Sequence, residues 1–209
     1  MLVRDIMSSP AVSIPPAMTL EDAYRMMQER NIRHLPVLDE GRLVGVITDR
    51  DLRLATSTFV RSPLSLQGRV SEVMCGEPMW AEAGDPVEDV AFRMRERKIG
   101  CLPVMDDGQL IGIVTGVDLL DALLRMTGVN KPSGRLEVRL PDHPGELARL
   151  TSFLSHRDLN VHSILTYPEG RDSTRTVLRI GSIETRALAN DLRRDDFEVL
   201  WPPEKPCPR

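Results

Sequence analysis

Ile32 to Asp51 reads IRHLPVLDEGRLVGVITDRD, and Ile99 to Asp118 reads IGCLPVMDDGQLIGIVTGVD. The offset is constant (99 − 32 = 67). Without a gap the two copies share Ile, Leu-Pro-Val, Asp, Gly, Leu, Gly, Thr and Asp, while Val44/Ile111, Val46/Ile113 and Ile47/Val114 exchange one β-branched residue for another. Repetition at a fixed period marks repeated folding units that bury surface against each other.

Each copy reads as strand, tight turn, strand and helix start. Leu-Pro-Val-Leu/Met is a short apolar run whose proline suits an edge strand, Asp-Glu-Gly41 or Asp-Asp-Gly108 supplies the turn, and the next run is largely β-branched. Thr48-Asp-Arg-Asp51 and Thr115-Gly-Val-Asp118 then follow. Thr-x-x-Asp is in the first place a helix cap, the hydroxyl taking a free N–H and the acid answering three residues later. A strand entering a helix also gathers unpaired N–H groups and the positive end of the helix dipole, where a phosphate is stabilised. There a hydroxyl can bind a phosphate oxygen, and a carboxylate can accept from ribose hydroxyls.

Upstream of each copy, Val3-Arg-Asp-Ile-Met7 and Val70-Ser-Glu-Val-Met74 open the repeats with a short helical turn. Thr19 is expected to cap a helix with Leu20, Ala23 and Met27 on one face. In the second repeat Asp85 is the expected cap, with Pro86 at the first helical position, Glu88 completing the box, and Val87, Val90, Ala91 and Met94 as the core stripe.

This doubled pattern resembles the tandem CBS domain, named after cystathionine β-synthase. The resemblance implies two repeats packed sheet to sheet as a Bateman module, with an adenine nucleotide or adenosyl ligand (AMP, ADP, ATP or S-adenosylmethionine) in the cleft. It puts Thr48, Asp51, Thr115 and Asp118 on the phosphate and ribose positions. Around the first site Arg33, His34 and Arg50 add cationic groups, or are solvated and strand positions. The second has Gly100, Cys101, Gly116 and Val117 in the same places, so it is empty, takes an uncharged adenosine moiety, or borrows charge across the cleft. The expected ranges are repeat 1 at 1–60, a connector at 61–69 and repeat 2 at 70–127. Leu119, Leu120, Leu123 and Leu124 give repeat 2 a more apolar final helix, and CBS modules commonly pair through such helices, so a homodimer is expected.

Two glycines and a proline in Thr127-Gly-Val-Asn-Lys-Pro-Ser-Gly134 mark a linker at 128–134. Beyond it the pattern is β-α-β-β-α-β over 135–201, a ferredoxin-like arrangement whose helices cover one face of an antiparallel sheet. The fold class is therefore mixed α/β and α+β. Asp142-x-Pro-Gly145 and Leu159-Asn-Val-x-Ser-Ile164 resemble the ACT domain, which often senses amino acids. The resemblance implies a ligand near Asp142, His143, Gly145 and Asn160, often across a subunit interface. Asp158 stands where that family usually has glycine, two residues before the asparagine, and it tolerates a left-handed turn less well. An amino-acid sensor and a module that only dimerises both stay open. Residues 202–209 are proline-rich and expected to fray.

The 209 residues are 41% hydrophobic and 28% charged, with net charge −4, an ordinary globular composition that argues against a general nucleic-acid binder. Cys75, Cys101 and Cys207 lack metal or disulfide spacing, and no apolar run spans a membrane, so a reducing cytoplasm is expected. His34, His143, His156 and His162 are scattered without a metal-ligand spacing, no Ser or Cys lies in a nucleophile motif, and no cofactor is indicated. The expectation is a regulatory ligand sensor without enzymatic activity. The order CBS, CBS, ACT resembles the bacterial acetoin-utilisation (AcuB-like) proteins, which implies a link to acetoin catabolism. The other reading is an interaction module holding a partner enzyme.

Overall fold

The computed structural model describes residues 1–204; the end of the expected tail and Cys207 lie outside them. The chain forms two compact units, the first Met1–Ala122 and the second from Leu123 onward.

In the first unit, α1 (Leu20–Arg30), β1 (His34–Asp39), β2 (Arg42–Thr48) and α2 (Asp49–Ala55) are repeated as α3 (Val87–Arg97), β5 (Cys101–Asp106), β6 (Gln109–Thr115) and α4 (Gly116–Met126). Two short strands, β3 (Cys75–Gly76) and β4 (Ala81–Glu82), complete the sheets β1-β2-β3 and β4-β5-β6. Both hairpins turn with a residue of positive φ before the glycine, Glu40-Gly41 and Asp107-Gly108. Leu20, Ala23 and Met27 of α1 are buried, as are Val87, Val90 and Met94 of α3. Thr19 caps α1 by accepting from Asp22 N–H at 3.1 Å.

The cap of α3 differs from expectation. Pro86 is extended (φ −61°, ψ 138°) and precedes the helix instead of starting it. The Asp85 carboxylate turns back to accept from Glu82 N–H at 3.1 Å and from the Arg93 guanidinium, so no Asp85–Glu88 box forms.

The opening turns exchange partners. Val3, Ile6 and Met7 pack in the core of Ala81, Val90, Leu102 and Val114, and Ser8 exchanges N–H···O bonds of 2.9 and 3.0 Å with Ile113. Reciprocally, Val70, Val73 and Met74 join the core of Leu20, Met27, Leu35 and Ile47, and β3 pairs with Gly45 and Val46 of β2. Each sheet is thus closed by the segment that opens the other repeat's sequence. Buried Val46, Cys101 and Ile113 join the two sheets face to face.

The second unit has the expected order: β7 (Gly134–Pro141), α5 (Glu146–Ser155), β8 (Val161–Pro168), β9 (Ser173–Ile180), α6 (Thr185–Arg194) and β10 (Glu198–Trp201), with sheet order β10-β7-β9-β8. The core of Leu136, Val138, Leu150, Leu154, Leu178 and Leu192 joins the sheet to α5 and α6. Alternate residues of β7 and β9 carry an ionic lattice on the sheet's other face. Glu137, 6% exposed, meets Arg135 at 2.6 Å and Arg175 at 3.0 Å, while Glu169, bonded by Arg139 and Arg175, has its carboxyl held down to about 2.

Candidate functional site

Among the cavities of the first unit, two lie at the Thr-x-x-Asp motifs, one at each. In both repeats the motif is a reciprocal cap. Thr48 Oγ1 accepts from Asp51 N–H at 3.2 Å, while Asp51 Oδ2 accepts from Thr48 N–H at 3.0 Å and from the hydroxyl at 2.6 Å. Thr115 and Asp118 reproduce this at 3.4, 2.7 and 2.6 Å. One carboxylate oxygen of each aspartate is consumed by the cap; among the described residues the other, Oδ1, has no hydrogen bond.

The helix starts offer fewer free donors than the sequence suggested. Asp49 N–H donates to Arg33 O at 3.0 Å and Gly116 N–H to Gly100 O at 3.1 Å. With the third amide of each helix taken by the threonine hydroxyl, the Arg50 and Val117 amides are the ones without an acceptor among the described residues. Each cleft thus keeps one helix-start amide and one carboxylate oxygen outside its cap, beside the side chains that line it.

Those side chains come from both repeats. The cavity at Thr48, about 870 Å³, is lined by Arg50, Asp51, Arg33 and His34 from the first repeat and by Met79, Lys98, Gly100 and Cys101 from the second. The cavity at Thr115, about 760 Å³, is lined by Asp118, Gly116 and Val117 and by Ala11, Asn31, Arg33 and His34. Arg33 and His34 line both. Lys98, the left-handed residue ending α3 (φ 54°), and its counterpart Asn31 (φ 52°) each line one cleft; in sequence Lys98 is only a cation at a helix end, where cations are favoured. The 67-residue offset links them, but only the exchanged packing shows which cleft each serves.

His34 pairs across the hairpin with Thr48, and a Cβ on Gly100 would lie 2.9 Å from its Nε2. Burial, and then the Arg33 charge, lower the His34 pKa, while Asp49 and Asp51 raise it in part; the net effect favours neutral imidazole. Burial, reinforced by the Asp51 charge, pushes the Cys101 thiol up to about 12. This cysteine is an apolar wall, not a nucleophile.

In the second unit, Asp142, His143 and Gly145 sit on the β7–α5 turn, with Gly145 at φ 101° as the helix cap. Asn160 precedes β8, and its carbonyl accepts from Gly181 N–H at 2.9 Å. Asp158 does adopt the left-handed conformation, φ 54°, where the family usually has glycine. The register sets these residues apart within one chain. Pro141 pairs with Ser173 at one end of the sheet, whereas Gly134 and Val161 both pair with Ile180 at the other. An eight-residue strand spans about 25 Å, so one chain does not bring Asn160 to the β7–α5 turn.

Residues 3–57 and 70–125 match the model of the CBS domain, and residues 134–196 match that of the ACT domain. The chain belongs to the CBS-domain family. A CBS domain-containing protein of Dictyostelium discoideum is 41% identical over 134 residues, 60% of this chain and 92% of that protein. A CBS domain pair solved with 5′-methylthioadenosine and S-adenosyl-L-methionine is 31% identical, with a TM-score of 0.54 over 63% of this chain and 98% of the other. A Vibrio cholerae structure described as an acetoin utilization protein (AcuB) is 30% identical, with a TM-score of 0.54 over 63% and 98%. A CBS protein solved with AMP is 30% identical, with a TM-score of 0.54 over 60% and 97%. The order CBS, CBS, ACT and the mixed α/β architecture thus agree with the sequence reading.

Proposed function

We propose that this chain is a regulatory sensor without catalytic activity, which holds an adenine nucleotide or adenosyl ligand in its CBS clefts. The observation that carries the reading is the duplicated Thr–Asp cap. It spends one oxygen of Asp51 or Asp118 on the helix and leaves the other, in a cavity of nucleotide size, for ribose hydroxyls. The phosphate end falls to the helix starts beside Thr48 and Thr115, whose own hydroxyl hydrogens are given to Asp51 and Asp118, with Arg50 and Arg33 supplying charge in the first cleft and His34 a neutral imidazole. Relatives solved with AMP and with S-adenosyl-L-methionine support this ligand class.

The ACT domain, on this reading, takes an amino acid between Asp142, His143 and Gly145 of one chain and Asn160 of a second, because one chain does not assemble the set. The working form is then a cytoplasmic homodimer that acts on a partner enzyme; the similarity to the Vibrio cholerae protein favours acetoin catabolism as the setting.

The test is isothermal titration with AMP, ADP, ATP and S-adenosylmethionine, repeated on Asp51→Ala and Asp118→Ala and, to spare the caps, on Asp51→Asn and Asp118→Asn. Micromolar binding that weakens in these variants is expected. Silence across the panel would sink the sensor and leave the interaction module.

A further inference from the structure

The Arg33–His34 pair lines both clefts, and the two clefts differ in what else they own. The Thr48 cavity has private cations, Arg50 and Lys98, in addition to the pair, and they stand among the carboxylates of Asp49, Asp51 and Glu77. The Thr115 cavity has Val117 and Asn31 at the equivalent places, and the cation in its lining is Arg33 of the pair, with His34 beside it as a hydrogen-bonding imidazole. The sharing has a steric cause. Gly100 and Cys101 are the counterparts of Arg33 and His34, and the missing Cβ of Gly100 is the space that His34 Nε2 approaches. Arg33 is held to the first cleft by its backbone, through Asp49 N–H, while Gly100 is held to the second through Gly116 N–H. The pair therefore stands at the junction, with the two cavities on either side.

Building on the sensor reading, we infer that the Arg33–His34 pair serves one anionic ligand at a time, so the chain takes a phosphate-bearing adenine ligand at Thr48 and an uncharged adenosyl ligand at Thr115. A phosphate in the Thr48 cleft draws the pair to its own side, and the Thr115 cleft is left with Asp118 and no cation. A second phosphate there would be desolvated without a partner, which is costly. An uncharged ligand needs only the Asp118 acceptor and the apolar walls.

The test uses AMP and adenosine with the full chain, titrated calorimetrically, and thermal melts confirm that each variant is folded. In the wild type, AMP alone is expected to give one tight equivalent and a second at least about tenfold weaker, the scale of one charge-assisted hydrogen bond. After saturation with AMP, adenosine should bind one further equivalent that Asp118→Asn weakens. In Asp51→Asn, where the Thr48 cleft is disabled, AMP should bind the Thr115 cleft about tenfold more tightly than the wild-type second step does. Adding Arg33→Ala and His34→Ala to Asp51→Asn should abolish that recovery. Two equal AMP steps in the wild type overturn the inference and leave the sensor standing. A recovery that survives loss of the pair overturns it as well, since simple repulsion between phosphates would then explain the gap. Absence of any adenine ligand in the wild type removes the sensor reading and this inference together.

Discussion

Gly45 and Gly112 lie at equivalent places on β2 and β6, where the exchanged opening turns cross the sheets. A Cβ on Gly45 would come within 2.6 Å of Met74 Sδ and 3.0 Å of Cys75 O, and one on Gly112 within 2.8 Å of Met7 Sδ and 2.9 Å of Ser8 O. The thioether can move but the carbonyl cannot without losing its strand pairing. Gly45→Ala and Gly112→Ala are each expected to cost about 1–3 kcal/mol in urea unfolding, the scale of core overpacking. Gly76→Ala, with open space around its Cβ, should be nearly neutral. His34 is the residue whose titration should register in stability. Its folded pKa lies below the ordinary histidine value of 6.5, chiefly through burial. The unfolded chain therefore takes up the proton first. The stability this histidine permits is complete above about pH 6.5 and is lost as pH falls through the folded pKa. Melting temperatures from pH 8 to pH 5 should fall more steeply in the wild type than in His34→Gln; parallel curves would exclude His34 as the titrating group.

At the scale of elements, α4 is the most apolar surface helix of the repeat pair. Leu120 and Leu123 are 55% and 51% exposed, where the first repeat has Arg53 and Thr56. A second copy is the expected cover, and the proposed ACT ligand set would need one too, since one chain holds Asn160 and the β7–α5 turn at opposite ends of the sheet. Sedimentation equilibrium should give twice the chain mass for the wild type and the single mass for Leu120→Glu/Leu123→Glu; a monomeric wild type would refute the pairing. What the sequence made legible follows from range. The Thr48–Asp51 cap, the hairpins and the β-α-β-β-α-β order are local patterns and were readable. The cap at Asp85 departs from the sequence expectation because Pro86, extended, delays the helix by one residue and frees the carboxylate for Glu82 and Arg93. Asn31 and Met79 carry no signal in the sequence, and Lys98 reads there only as a helix-end cation, because each reaches its cleft from the other repeat. No spacing along the chain announces the exchange that brings them there.

For the whole molecule, the two compact units meet in sequence inside α4, between Ala122 and Leu123, so this helix carries residues of both. A ligand that binds only folded protein stabilises it by RT ln(1 + [L]/Kd), about 2.7 kcal/mol at a hundredfold excess over Kd. If the units are independent, AMP raises the transition of the first alone; if α4 couples them, ordering its N-terminal half also favours its C-terminal half. The two tryptophans separate these cases, because Trp80 lies in the first unit and Trp201 in the second. In Trp201→Phe, tryptophan fluorescence reports the first unit, and in Trp80→Phe it reports the second. With AMP at 100 Kd, both melts are expected to shift upward. Asp121→Gly, an exposed position in the middle of α4 where glycine costs about 1 kcal/mol of helix, should leave the first shift in place and reduce the second. A Trp201 melt that AMP never moves would mean that the ACT unit does not read the CBS clefts through this helix, and that the signal to a partner leaves from the CBS pair itself.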